Sequence, residues 1–128
     1  MNNKISATAA IFGLLSIILG AFGAHALKRV LTAEQLLTFE TGVKYQMYHA
    51  LFLLFIAYHT VLSQKSKKAI FYLIATGTIL FSGSIYVLAT KQLTHIDVKS
   101  IGILTPIGGL FLLSGWGLFL IKTMQNKS

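Results

Sequence analysis

The sequence predicts an all-α integral membrane protein: a four-helix bundle with a short interfacial amphipathic helix between its first and second spans. Three observations carry this. The chain has 128 residues, 55% of them hydrophobic and 11% charged, and its mean hydropathy is +0.73. A soluble domain usually carries about 25% charged residues, and a small globule buries too little of its surface to hide so much apolar area. Next, the apolar residues gather into four windows near the ~20 residues that cross hydrocarbon as a helix. Finally, the Lys residues stand at the window ends, where they anchor helices at headgroup level. One membrane domain, 1–128, accounts for the whole chain.

The first window is Ile5–Leu27. Ala9, Gly13, Ser16, Gly20 and Ala24 recur at helical spacing and draw one stripe of small side chains. In lipid such a stripe is a seam where helix backbones approach closely. Lys4 and the Ala24-His25-Ala26 triplet also fit the ends of a cleaved signal peptide. The apolar run is longer than the ~7–15 residues of such a leader, so a retained span is the preferred reading.

The segment "TAEQLLTFETGVK" follows. Thr32 with Gln35 three residues on has the capping-box pattern. Leu36, Phe39 and Val43 keep helical spacing, and Glu40 with Lys44 is an i,i+4 pair. This predicts the interfacial helix. The second span is read at Tyr45–Leu62 and the third at Ala69–Ala89, the latter with Gly77, Ser82, Gly83 and Ser84. The fourth, Ile101–Ile121, carries Gly102, Gly108, Gly109, Ser114, Gly115 and Gly117. Pro106 either kinks this helix or occupies its first turn behind a Thr105 cap.

Four spans place both termini on one side. That side holds Lys4, Lys65, Lys67, Lys68, Lys122 and Lys127, against Lys28, Arg29, Lys44, Lys91 and Lys99 opposite. The three Lys of "QKSKK" favour a plasma (inner) membrane protein with both termini cytoplasmic. The formal charge of +8 is thus a membrane-anchoring feature, and nucleic acid is not an expected partner. With no cysteine, disulfides, thiolate metal sites and Cys nucleophiles are excluded.

Counting depth along the expected spans gathers the unusual polar residues in the outer leaflet. His25 and His49 share a depth there, with Glu40, Tyr45 and Gln46 near them. Ser82, Ser84 and Tyr86 arrive from the third span and Thr105 from the fourth. Intramembrane ionisable groups face a partner or a cavity. The glycines before His25 let a neighbouring helix approach, so that His25 meets His49, Gln46 or Glu40. The set is read either as a hydrogen-bonded clamp or as a pocket around His25 and His49 for a lipid, a quinone or a partner helix.

Other chemistries fit less well. Two His and a carboxylate suffice to hold iron or zinc, but no His-x-x-Glu or His-x-x-x-His pair exists, so no metal or cofactor is assigned. A metal- or haem-dependent redox protein stays as an alternative. His95 and Asp97 read as solvated loop residues. Ser82 or Ser84 with His49 and Glu40 would be a hydrolase constellation on paper. Serines in membrane helices usually bond backbone or a neighbouring helix instead, so a non-enzymatic role is preferred. A channel or transporter needs a polar path through both leaflets. The plain inner half supplies none in one chain, and that alternative requires a homo-oligomer.

The motifs "GAFGAHAL", "ETGVKYQMYHAL", "FSGSIY" and "TPIGGLFLLSGW" resemble those of the family grouped as domain of unknown function 423, small multi-pass membrane proteins of the YgdD and YwdK type. The resemblance spans nearly the whole chain. Ala26 departs from the glycine common there, and the Thr90–Ser100 loop is individual. It implies a plasma-membrane protein of several spans and no particular activity. The positions it flags are Gly20, Gly23, His25, Glu40, Tyr45, Gln46, His49, Ser82, Gly83, Tyr86, Pro106 and Gly109.

Overall fold

The computed structural model describes residues 2–95 and 99–125, and no strand occurs among them. Four long helices make the fold: α1 (Asn2–His25), α2 (Ala33–Ala57), α3 (Gln64–Ala89) and α5 (Lys99–Gln125), with a single-turn α4 (Lys91–Thr94) between the last two. Among the described residues, three segments are long and apolar enough to cross a membrane: Asn2–Arg29, Gln64–Ala89 and Lys99–Gln125. The second expected span is not among them, because Glu34, Glu40, Lys44, Gln46 and His49 interrupt α2.

Several of the expected boundaries change. The segment read as a separate interfacial helix is the first three turns of α2. The capping box at Thr32 forms, with Gln35 N–H donating to Thr32 Oγ1 at 3.1 Å and Thr32 N–H donating to Gln35 Oε1 at 3.0 Å. Nothing after it breaks the helix. Gly42 costs propensity, but the close approach of α3 fills the space beside it. The helix therefore starts at Ala33 and ends at Ala57, not at 45 and 62. Likewise α5 begins at Lys99 and runs through Pro106. Thr105 is therefore not a cap. The Glu40–Lys44 pair does not close: Glu40 is half-buried and Lys44 exposed.

Successive helices run antiparallel. Gly13 faces Ala50, Gly20 faces Val43 and Gly23 faces Phe39 between α1 and α2. Gly42 meets Ile85 and Tyr86 of α3, and Gly77 meets Gly108 and Leu112 of α5. The seam of α1 therefore leaves the expected stripe at its outer end: Gly23 is buried and Ala24 exposed. A helix of 3.6 residues per turn drifts off a strict four-residue repeat.

α1 packs on α2, α2 on α3, and α3 on α5. Among the described residues α1 and α5 share no seam, so the expected four-helix bundle is an open arrangement with α2 and α3 central. Each outer helix spends its small residues on one neighbour. Its other faces carry Ile11, Leu14 and Ile17, or Leu110, Leu113 and Leu120, all exposed. Lipid solvates those side chains as well as another helix would. The core runs from Ile5 through Leu53, Ile56, Ile70 and Ile74 to Leu112.

The end that carries Asn2 holds a buried cation. Lys67 is 3% exposed. Its ammonium donates to the Ala57 carbonyl at 3.3 Å and to Asn2 Oδ1 at 3.5 Å. It thus caps the last turn of α2, whose carbonyls lack intrahelical donors and favour a cation. Lys67→Met keeps most of the packed stem and deletes the charge. We expect a loss of about 1–2 kcal/mol, read as a lower unfolding midpoint in detergent at unchanged helix content.

Candidate functional site

The polar side chains divide between the two sides of the central α2–α3 pair. Toward α1, Gln46 of α2 is the hub, 6% exposed. Its Nε2 donates to the Phe12 carbonyl at 2.8 Å, and its Oε1 accepts from the Tyr86 hydroxyl at 2.6 Å. Ser16 Oγ donates to the same Phe12 carbonyl at 2.8 Å. Ser82 Oγ donates to the Gly42 carbonyl at 2.8 Å. A Cβ at Gly42 would lie 2.7 Å from the Tyr86 ring, so only glycine lets Tyr86 reach Gln46. Three helices are tied at one level, near the middle of α1.

Toward α5 stands His49, 5% exposed. Its Nδ1 lies 2.7 Å from the Tyr45 carbonyl. A carbonyl only accepts, so Nδ1 carries the proton. Nε2 then offers its lone pair, and the Trp116 indole N–H donates to it at 3.1 Å. Both ring nitrogens are committed. Trp116 also stacks on Phe52, with centroids 3.9 Å apart. Above this pair Ser84 donates to the Phe81 carbonyl, which leaves the Thr105 hydroxyl to donate to Ser84 and join α5 to α3.

The structure does not bring His25 and His49 together. His25 is exposed at the end of α1, while His49 points to the opposite side of α2, at Trp116. Their expected common depth came from starting the second span at Tyr45. With α2 starting at Ala33, His49 lies 16 residues in, or ~24 Å along the helix. Glu40 is half-buried and Tyr45 exposed on α2; Tyr45 packs edgewise on Tyr48 and tilted on Phe81. Gly108 lies in the α3–α5 seam, and Gly109 stands at its edge near Phe81. Asp97 lies outside the described residues, and His95 is exposed. Among the described residues no three His, Asp or Glu side chains gather as a metal-ligand set.

Trp116 is the only tryptophan of the chain, so its fluorescence reports this contact. His49→Leu fills the space and removes the acceptor. We expect a blue-shifted emission, unchanged helix content and a stability loss of about 1 kcal/mol. Unchanged emission would contradict the bond.

Sequence reasoning missed four groups: Trp116, the Phe12 carbonyl, Lys67 and Thr78. Thr78 Oγ1 is the one buried side-chain polar atom without a hydrogen-bond partner among the described residues. Thr78 lines a groove of about 280 Å³ between α1 and α3. Leu15 and Leu19 form one wall, Ile79 and Gly83 the other, and Gln46 lies with Thr78 among the lining residues. A Cβ at Gly83 would meet nothing within 4 Å. The groove exists because α1 and α3 both pack on α2 without a seam of their own.

Comparison with known proteins gives one coherent picture. Residues 19–109 match the family model described as "Protein of unknown function (DUF423)". The chain is 39% identical to the UPF0382 inner membrane protein YgdD of Escherichia coli, over 93% of this chain and 88% of the relative. It is 40% identical to a UPF0382 membrane protein of Schizosaccharomyces pombe, over 88% of this chain and 95% of that one. A UPF0382 membrane protein of Haemophilus influenzae is 34% identical over 100% of this chain and 99% of its own. No solved structure matches.

Proposed function

We propose that this chain, which belongs to the DUF423 family of membrane proteins, holds a membrane-resident lipophile in the α1–α3 groove and performs no chemistry on it. All four long helices cross the bilayer in this reading, α2 included. Gln46 and His49 are satisfied by α1, α3 and α5 rather than by water, and Glu34, Glu40 and Lys44 lie in the first three turns of α2. An even number of crossings leaves both ends on one side, and the Lys-rich α2–α3 turn makes that side cytoplasmic.

The carrying observation is the groove itself. It opens between two helices, its walls are apolar, and Leu15, Leu19, Ile79 and Gly83 line it. Gln46, Ser82, Ser84, Tyr86 and Thr105 are engaged in joining helices, and both His49 nitrogens are hydrogen-bonded, which leaves neither free for a metal or a proton transfer.

Native mass spectrometry of the gently solubilised protein tests this. Gly83→Leu places a side chain in the groove where no atom opposes it. We expect the wild type to carry one lipophile per chain and Gly83→Leu to lose it while keeping its helix content. Equal adducts on both would refute the groove as the site. An empty homo-oligomer with ion flux in liposomes would favour a channel subunit instead.

A further inference from the structure

We infer that a cavity at the end of the fold opposite Asn2 binds a phosphoethanolamine group, with Glu34 taking its primary ammonium and Lys91 its phosphate. The site is separate from the α1–α3 groove, and neither reading needs the other.

The cavity measures about 320 Å³ and lies where the start of α2 meets the end of α3 and α4. Glu34, Gln35 and Thr38 line it from α2, Ala89 from α3, and Lys91 and Gln92 from α4. Glu34, Thr38, Lys91 and Gln92 are exposed, so a ligand can reach them. Glu34 and Lys91 bring one carboxylate and one ammonium to the same small space. Their charges do not close on each other, and neither has an ion-pair partner among the described residues. Two unlike charges held apart in one cavity match a zwitterion whose own charges are a few bonds apart.

The lining selects the kind of zwitterion. A quaternary ammonium, as in choline, is recognised by aromatic faces, and none of the residues lining the cavity is aromatic. A primary ammonium has three N–H donors instead and needs acceptors. Glu34 supplies a carboxylate, and Thr38 a hydroxyl oxygen whose own proton goes to the Glu34 carbonyl. An anion needs donors. Lys91 gives a cation suited to phosphate, and Gln92 an amide. Gln35 spends its Oε1 on the Thr32 N–H, which leaves its amide N–H groups as further donors.

Depth points to a phosphate as the anion. α3 spans Gln64–Ala89. With α3 centred in the bilayer, Ala89 lies ~19 Å from the centre, and the hydrocarbon ends at ~15 Å. The cavity therefore sits in the headgroup layer, where phosphodiesters are the abundant anions. The same group also occurs in water without acyl chains, so the lipid and the solute are distinguished by experiment.

The test is native mass spectrometry of the full chain, gently solubilised, with equimolar phosphatidylethanolamine and phosphatidylcholine of identical acyl chains. We expect phosphatidylethanolamine to be retained about tenfold more strongly. Glu34→Gln should abolish that preference, because only the ammonium differs between the two lipids. Lys91→Gln should weaken retention several-fold. Glu40→Gln makes the same charge change on the same helix outside the cavity and should alter nothing, as should Gly83→Leu in the groove. All variants should keep their helix content. The solute arm is glycerophosphoethanolamine titrated into the protein in phosphatidylcholine nanodiscs. Binding as tight as the lipid's and lost in Glu34→Gln would keep the site and make its ligand a solute; no binding beside a retained lipid would make it the lipid. Equal retention of the two lipids by the wild type, a preference that survives Glu34→Gln, or one that disappears in Gly83→Leu overturns the proposal.

Discussion

Gly108→Ala is expected to separate α5 from α3 and to cost at least ~3 kcal/mol, enough to remove most folded protein. A Cβ at position 108 would lie 2.5 Å from the Phe81 backbone nitrogen, 2.9 Å from its Cα and 3.0 Å from the Gly77 carbonyl oxygen. These are main-chain atoms of a helix, and no rotamer change relieves them. Helices in lipid associate through such close approach, since apolar burial gives little drive there. The control is internal. Gly102 and Gly117 lie on the same helix with nothing within 4 Å, and alanine there should be neutral or gain up to ~1 kcal/mol of helix propensity. Thermal unfolding of the three variants in one detergent measures the contrast. A Gly108→Ala protein as stable as Gly102→Ala would contradict the seam.

Gln46→Leu should be the next most damaging change, at about 2–3 kcal/mol. It removes the bonds to the Phe12 carbonyl and the Tyr86 hydroxyl, and strands that hydroxyl among apolar groups. Interhelical hydrogen bonds in membranes average only about 0.6 kcal/mol each. Most of the effect is therefore the penalty for the unpaired partner. Tyr86→Phe removes only one of the bonds and should cost about 1 kcal/mol. Once Gln46 is Leu, Tyr86→Phe should become neutral or stabilising. That sign change in a double-mutant cycle identifies the pair. Simple additivity would mean that the two side chains do not depend on each other.

The sequence made the membrane class legible because apolar runs with Lys at their ends have few other solutions. The seam of α1 was legible for the same reason: small residues at helical spacing mark close approach, and Ala9, Gly13, Ser16 and Gly20 lie along the α2 side. What failed was depth. The polar start of α2 reads as an amphipathic surface helix when no neighbour is known. With Phe39, Gly42 and Gln46 packed against α1 and α3, the same residues are the inside of a long helix. Moving its start by twelve residues moves His49 by ~18 Å along the axis and exchanges its expected partner, His25, for Trp116. Which face a lone polar residue presents is set by a partner tens of residues away. The 67-position separation of His49 and Trp116 leaves no local signature. Thr78 was invisible for a related reason, since its character lies in the hydrogen bond it fails to make.

The groove between α1 and α3 is the centre of this account, and photolabelling tests it most directly. A lipophile bearing a diazirine is incorporated into native membranes, irradiated, and its adducts are mapped by peptide sequencing. The account predicts adducts concentrated on Leu15, Leu19, Ile79 and Tyr86, the residues that face the groove, and their loss in Gly83→Leu. Adducts spread evenly over the exposed faces of α1 and α5, and unchanged by Gly83→Leu, would show a protein that meets only bulk lipid and would contradict it.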